Sequence, residues 1–189
     1  MKNTYITSYF PLFSITIFSF ALAIYTETII TDWLIHIGLY VGMLEFFSEV
    51  GIKLTLLFLL TLVYFMVFSA LKLIADTVLE LSLLFFSRDE EGNDLKKVRS
   101  GSWIFLIASF CALFLSVTPQ LQTGITIVFL FAAFIYFVYF VYQVSDSMSL
   151  AGLIGTIFFH VSFWGGFLAV TIYSLLRLYN SFVNSLPIS

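Results

Sequence analysis

Lys72, Asp76 and Glu80 stand four residues apart in an apolar stretch. In a helix that spacing places all three on one ridge. An ammonium and two carboxylates facing a shared cavity would bind a cation or an anionic headgroup. The same ridge facing water is a solvated helix face, with Lys72 snorkelling to the membrane interface. The order does little for stability. Lys72 precedes Asp76, the weaker arrangement in a helix, and Asp76 with Glu80 is a like-charge pair. Glu45, Glu49 and Lys53 repeat the spacing and predict a second polar ridge. His160 is the other candidate. It lies midway along an apolar run beside Phe158, Phe159 and Trp164. An ionisable residue at membrane depth marks a functional site by default. A neutral imidazole bonded to a neighbouring helix serves packing equally well. No acid stands within a turn of His160, so the expectation is the neutral form, held by another helix.

Familiar reaction motifs are missing. The chain has no His-Glu-x-x-His, no Gly-x-Ser-x-Gly, no Walker loop and no Cys-x-x-Cys. Its two histidines lie in separate segments and do not make a zinc site. No catalytic, metal or cofactor-binding residue is assigned, and the expectation is a protein that is not an enzyme.

The elements that carry these residues are set by hydrophobicity. Apolar residues make up 61% of the chain and charged residues 10%. Soluble domains are about half apolar and about a quarter charged. The chain therefore reads as an all-α, polytopic integral membrane protein, a single domain over residues 1–189. A net charge of −3 without a broad basic patch speaks against nucleic acid. Cys111 lies inside an apolar run and has no second cysteine to pair with. A membrane-spanning helix needs about 20 apolar residues. Five runs qualify: 5–26, a charge-free run after Lys53 through Leu71, 101–117, 123–144 and 149–176. The second run is expected to continue as one helix past Lys72 to about Phe86. The fifth is long enough to tilt or to project. Lys2, the apolar run and Ala21-Leu22-Ala23 also imitate a cleavable signal peptide, the alternative reading of the N-terminus.

Lysine and arginine placement sets the expected orientation. Arg88, Lys96, Lys97 and Arg99 mark the 88–99 loop as cytoplasmic, with the N-terminus on the same side and the C-terminus outside. Tyr139 and Tyr142 then fall at the inner interface, and Tyr173 and Tyr179 near the outer one. Residues 28–51 resist a simple assignment. They are apolar enough for a sixth span, but Asp32, His36, Glu45 and Glu49 are costly at the bilayer centre. The preferred reading is one or two short outer interfacial helices, with Trp33, Tyr40, Phe46 and Phe47 dipping into lipid. Gly152 with Gly155, and Gly165-Gly166, predict close helix approach. Gly165-Gly166 is also a place for a kink. Gly38-x-x-x-Gly42 has dimer-motif spacing. Ser145, Asp146 and Ser147 are candidate caps for the fifth helix. Pro119 predicts a tight turn. Asp89, Glu90 and Glu91 start a polar loop turned by Gly92-Asn93.

Several stretches resemble the YufK-type family, small membrane proteins of Bacillus and its relatives. They are Tyr9-Phe10-Pro11; Phe46-Phe47-Ser48-Glu49 with Gly51-Ile52; Ala70 through Thr77; Glu80 through Ser87; Leu95-Lys96-Lys97 with Arg99; and Ser185-Leu186-Pro187. The likeness covers most of the chain and is densest from Phe46 to Ser102. It implies a bacterial plasma membrane and carries over no activity and no site residues.

Two functional expectations follow. The first is a non-catalytic membrane factor that binds a protein partner or itself through glycine-rich faces and the 88–99 loop, with the lipid bilayer as its solvent. The second is a small transporter or channel component, with Lys72, Asp76 and Glu80, or His160, on its path. A transporter needs those side chains around a solvated cavity. A scaffold leaves them on the rim.

Overall fold

The computed structural model describes residues 9–88 and 93–185. Lys2, the acidic run Asp89–Glu91, Gly92 and the Leu186-Pro187 pair lie outside the described residues. The described chain is helical, with five helices long and apolar enough to cross a membrane. In chain order they are α1 (Phe10–His36), the short α2 (Leu39–Leu44), α3 (Glu49–Phe86), the short α4 (Asn93–Arg99), α5 (Trp103–Val117), α6 (Gly124–Val144) and α7 (Leu150–Ser185). The five long ones are α1, α3, α5, α6 and α7. A 3-10 turn leads into α5, and another at Pro119–Leu121 turns α5 into α6.

The turn at Pro119 is where the sequence places it. Gln122 Nε2 closes it by donating to the Ser116 carbonyl at 2.9 Å. Pro11 sits in the first turn of α1, where its missing N–H costs no helical bond.

Residues 28–51 form no sixth span. α1 continues ten residues beyond Thr26, because its second half has a helix to pack against. Thr26 Oγ1 and Tyr64 Oη on α3 lie 2.7 Å apart. Leu34 and Ile52 bury against Tyr40, with Ile30, Met43 and Leu56 around them. Thr31 donates to the Glu27 carboxylate at 3.0 Å, so that acid has a partner inside the hairpin. Gly38 then stops α1 with φ +75°, a left-handed conformation glycine adopts without a Cβ penalty. Its role is to break the helix between α1 and α2, which removes the dimer-motif reading. Tyr40 points inward and is buried, contrary to the expected lipid-facing placement, while Trp33, Phe46 and Phe47 are exposed. Ser48 caps α3 by accepting from the Gly51 N–H at 3.1 Å. Glu45 precedes that cap and falls outside α3, so the expected three-residue ridge is reduced to Glu49 and Lys53, 2.7 Å apart.

α1 packs along both α3 and α5, and α5 packs on α6. Phe18, Ala21, Ala112 and Ile125 bury at the centre, with Phe68, Phe105 and Phe129 around them. Phe18 meets Phe129 edge-on at 5.5 Å between ring centres. Small hydroxyls fill the remaining space. Ser14, Ser19, Ser82, Ser109 and Ser116 are buried, and each returns its proton to a carbonyl three or four residues earlier on its own helix. A self-satisfied serine is small enough to let two backbones approach in an apolar medium.

α7 is built differently. Its first three turns run antiparallel to α6. Gly152 lies against the Phe86 carbonyl, and Gly155 against the Phe86 ring. Phe137 and Phe140 of α6 flank His160. From Val161 onward the described side chains are exposed, apart from Trp164 and Phe167, which shield one another edge to face. The helix continues through Gly165-Gly166 without a break, and reaches nine residues past the expected end at Leu176.

Candidate functional site

The end of the molecule that carries α4 gathers most of the ionisable residues. α3 is 38 residues long, about 57 Å, and carries Lys72, Asp76 and Glu80 in its second half, far from the Glu49–Lys53 pair at its start. As the spacing predicts, α3 runs unbroken to Phe86 with Lys72, Asp76 and Glu80 on it. The three do not act as a group. Lys72 and Asp76 form an ion pair within the helix, each side chain about a third exposed (37% and 33%). Glu80 turns away and accepts from Arg99 Nη2 at 3.0 Å, tying α3 to the end of α4. Both of those groups are exposed, at 50% and 57%, and a pair so placed adds well under ~1 kcal/mol. All three side chains reach the protein's surface.

A carboxylate not singled out by the sequence sits at the centre of this end. Asp94 is 3% exposed. Ser87 Oγ donates to Asp94 Oδ2 at 2.7 Å, and Ser147 Oγ donates to the same oxygen. Lys97 Nζ stands 4.0 Å from Oδ1. Ser87 ends α3, Asp94 opens α4, and Ser147 lies in the link between α6 and α7. The Arg88 N–H donates to the Ser147 carbonyl at 3.3 Å beside them. One buried carboxylate therefore joins three segments. The expected cap for α7 is corrected by the same contacts. Ser147 Oγ is shared between Asp94 and the Val144 carbonyl, Ser145 Oγ returns to the Tyr142 carbonyl, and Ser149 caps α7 by accepting from the Gly152 N–H at 3.1 Å. Tyr139 completes the joint by donating to the Lys97 carbonyl at 3.1 Å, with its ring against Gly101. Below the joint, Leu79, Val98, Phe140 and Val144 form a second apolar core.

His160 is buried, as its position predicts, but its bond is local. Nδ1 lies 3.0 Å from the Thr156 carbonyl of its own helix. No other helix supplies that partner, which corrects the expected interhelical bond. Its ring sits among Phe137, Phe140 and Phe159, with centre distances of 5.8, 4.9 and 6.0 Å. The imidazole acts as a flat packing element on α6. Its contacts run to Thr156, Phe137, Phe140 and Phe159, whereas those of Lys72, Asp76 and Glu80 run to one another and to Arg99, so among the described residues the two sets share no partner.

Among the described residues, no three of His, Cys, Asp and Glu gather at metal-binding spacing. A groove of about 370 Å³ opens between α6 and α7, lined by Phe137, Val138, Val141, Tyr142, Ser145 and Ile157. Its walls are apolar and offer nothing to orient a polar ligand.

This arrangement defines a multi-pass helical membrane protein with its polar contacts concentrated at one end. The chain belongs to a family described as a family of unknown function (DUF5366), whose pattern matches residues 26–187. It is 47% identical, over the full length of both chains, to a protein of Bacillus subtilis (strain 168) named uncharacterized membrane protein YufK. The expected resemblance is thereby shown. No solved structure matches the chain.

Proposed function

We propose that this protein is a non-catalytic membrane factor that works by associating with a protein partner or with a second copy of itself. The observation that supports this is how the polar groups are used. Lys72 is bound to Asp76, Glu80 to Arg99, Asp94 to two serines, and His160 to its own backbone. Each such contact orders the fold. The second half of α7 is mostly apolar and, among the described residues, exposed along its length. The bilayer plasma membrane location and the cytoplasmic 88–99 loop belong to the same reading, from the placement of Lys96, Lys97 and Arg99.

The competing reading is a small transporter or channel component. It requires Lys72 and Asp76, a third exposed at the helix rim, to open onto a path through the membrane. In-membrane photocrosslinking separates the two. A photoreactive residue at Leu175 on α7 is expected to give an adduct of defined mass, and one at Ile127 on α6 only lipid adducts. Lipid adducts alone from Leu175, joined to proton, sodium or potassium flux in reconstituted vesicles that Asp76→Asn abolishes, would overturn the proposal in favour of transport.

A further inference from the structure

Two uncovered surfaces lie at the α2 end of the molecule. The first is α3's outer stripe, where Leu54, Phe58, Leu62 and Met66 recur at four-residue spacing and are 44–67% exposed. Ile29 and Trp33 of α1 continue it. α5 covers less height than this hairpin. It has 15 residues, about 22 Å, and ends at Val117. The second surface is α7 beyond His160. Five crossings bring the α2 turn and the end of α7 to the same side of the membrane.

Charge complements shape. The α1–α3 hairpin carries Glu27, Asp32, Glu45 and Glu49 against one base, Lys53, which Glu49 holds. The only other Lys or Arg at this end is Arg177 on α7. Among the described residues Arg177 has no acidic partner, and Asp32 and Glu45 have no base. Ser174, Arg177, Ser181 and Asn184 follow at three- and four-residue steps, so they form one polar edge on an apolar helix. The heights agree. Gly152 lies beside Phe86, and Arg177 stands about 37 Å further along α7. The same rise along α3 reaches Thr61, and the Thr26–Tyr64 contact puts Glu27 and Ile29 of α1 at that level. An extended Arg177 side chain reaches from there towards Asp32, one turn on.

We infer that the second half of α7 docks on the α1–α3 hairpin of a second copy, Arg177 meeting Asp32, in a reciprocal two-fold dimer. This rests on the association reading above and names the partner. Both copies cross the bilayer in the same direction, so the axis lies along the membrane normal and each copy gives one arm and receives one. Gly165 and Gly166, with no atom within 4 Å of an added Cβ, leave room for the close approach that packing in lipid requires. The chain's own hairpin is the other acceptor, and lipid alone the third.

The test is disulfide trapping in native membranes with Cys111→Ser as background. Ile29→Cys combined with Leu176→Cys is expected to give a covalent dimer on a non-reducing gel, and each single cysteine a monomer. Arg177→Glu should raise the dimer dissociation constant about tenfold, and Asp32→Lys in the same chain should restore it. Stepwise photobleaching of a fluorescent fusion gives the copy number independently. Two steps without the 29–176 bridge would overturn this docking and leave association standing. A bridge within one monomer would overturn it in favour of packing on the chain's own hairpin. Single steps with no bridge would overturn both.

Discussion

Asp94 holds more of this protein together than any residue of the charged ridge. Its carboxylate is 3% exposed and takes hydroxyls from the half-buried Ser87 and Ser147, so removing it withdraws both bonds from a charged acceptor. A hydrogen bond to a charged group contributes about 1.5–3 kcal/mol. Asp94→Ala is therefore expected to lower stability in detergent by about 3 kcal/mol. Asp94→Asn keeps one acceptor oxygen and should lose less. Thermal unfolding of both variants checks this, and equal, small losses would show that the joint carries no weight. His160 makes the opposite case. Its one bond is to its own backbone, and its ring packs on Phe137 and Phe140. His160→Leu keeps an apolar body of similar bulk and should change stability by less than about 1.5 kcal/mol. A loss above about 3 kcal/mol would mean that the imidazole serves a polar contact. The Lys72–Asp76 pair was legible from spacing alone, because both partners sit on one helix. Asp94 was not, because Ser147 lies 53 positions away and only the folded chain brings them together. The partner of Glu80 was hidden for the same reason. That partner, Arg99, is on another element.

At the scale of helices, most of the fold could be read from the apolar runs. The start and end of α6 and the unbroken run of α3 to Phe86 follow from hydrophobic length and from the turn at Pro119, whereas the Ser48 cap that starts α3 at Glu49 went unread. Helix ends that depend on neighbours did not. α1 outlasts its charge-free run because Glu27 and Thr31 satisfy each other and Leu34 finds Ile52. Gly101 and Gly155 were legible as small, but not what they face. A Cβ at Gly101 would lie 2.3 Å from the Tyr139 ring, which is itself held by the Lys97 carbonyl and by Ser100. One at Gly155 would lie 2.6 Å from the Phe86 ring. Gly101→Ala and Gly155→Ala are each expected to cost about 1–3 kcal/mol. Gly42→Ala, in open space on α2, should be neutral or slightly stabilising. Thermal melts of the three variants side by side would show the contrast. A Gly42→Ala loss equal to the others would contradict the packing described.

At the scale of the whole molecule, polarity is divided between two ends. The α4 end is knitted by ion pairs and by Asp94. The α2 end carries unbalanced acids and an uncovered hairpin. Between them lies a slab of Phe, Leu and small residues with few polar side chains beyond self-bonded serines and threonines. Five crossings by the five long apolar helices would put the chain's two ends on opposite faces. Reporter fusions after Asn3 and at Ser189 are expected to report opposite sides, and two reporters on the same side would contradict five spans. The overall class was legible because hydrophobic length is a property of local sequence. The division of labour between the ends was not, because it depends on which charges meet.

We propose that the ridge on α3 meets water at one membrane face and lines no path across the membrane. This placement is tested most directly by labelling Asp76→Cys and Glu80→Cys, in a Cys111→Ser background, with a membrane-impermeant thiol reagent applied to either side of sealed vesicles. Both positions should label only from the face that also labels Lys96→Cys. Labelling of Asp76→Cys from the face that labels Trp33→Cys would place it on a transmembrane path and overturn this placement.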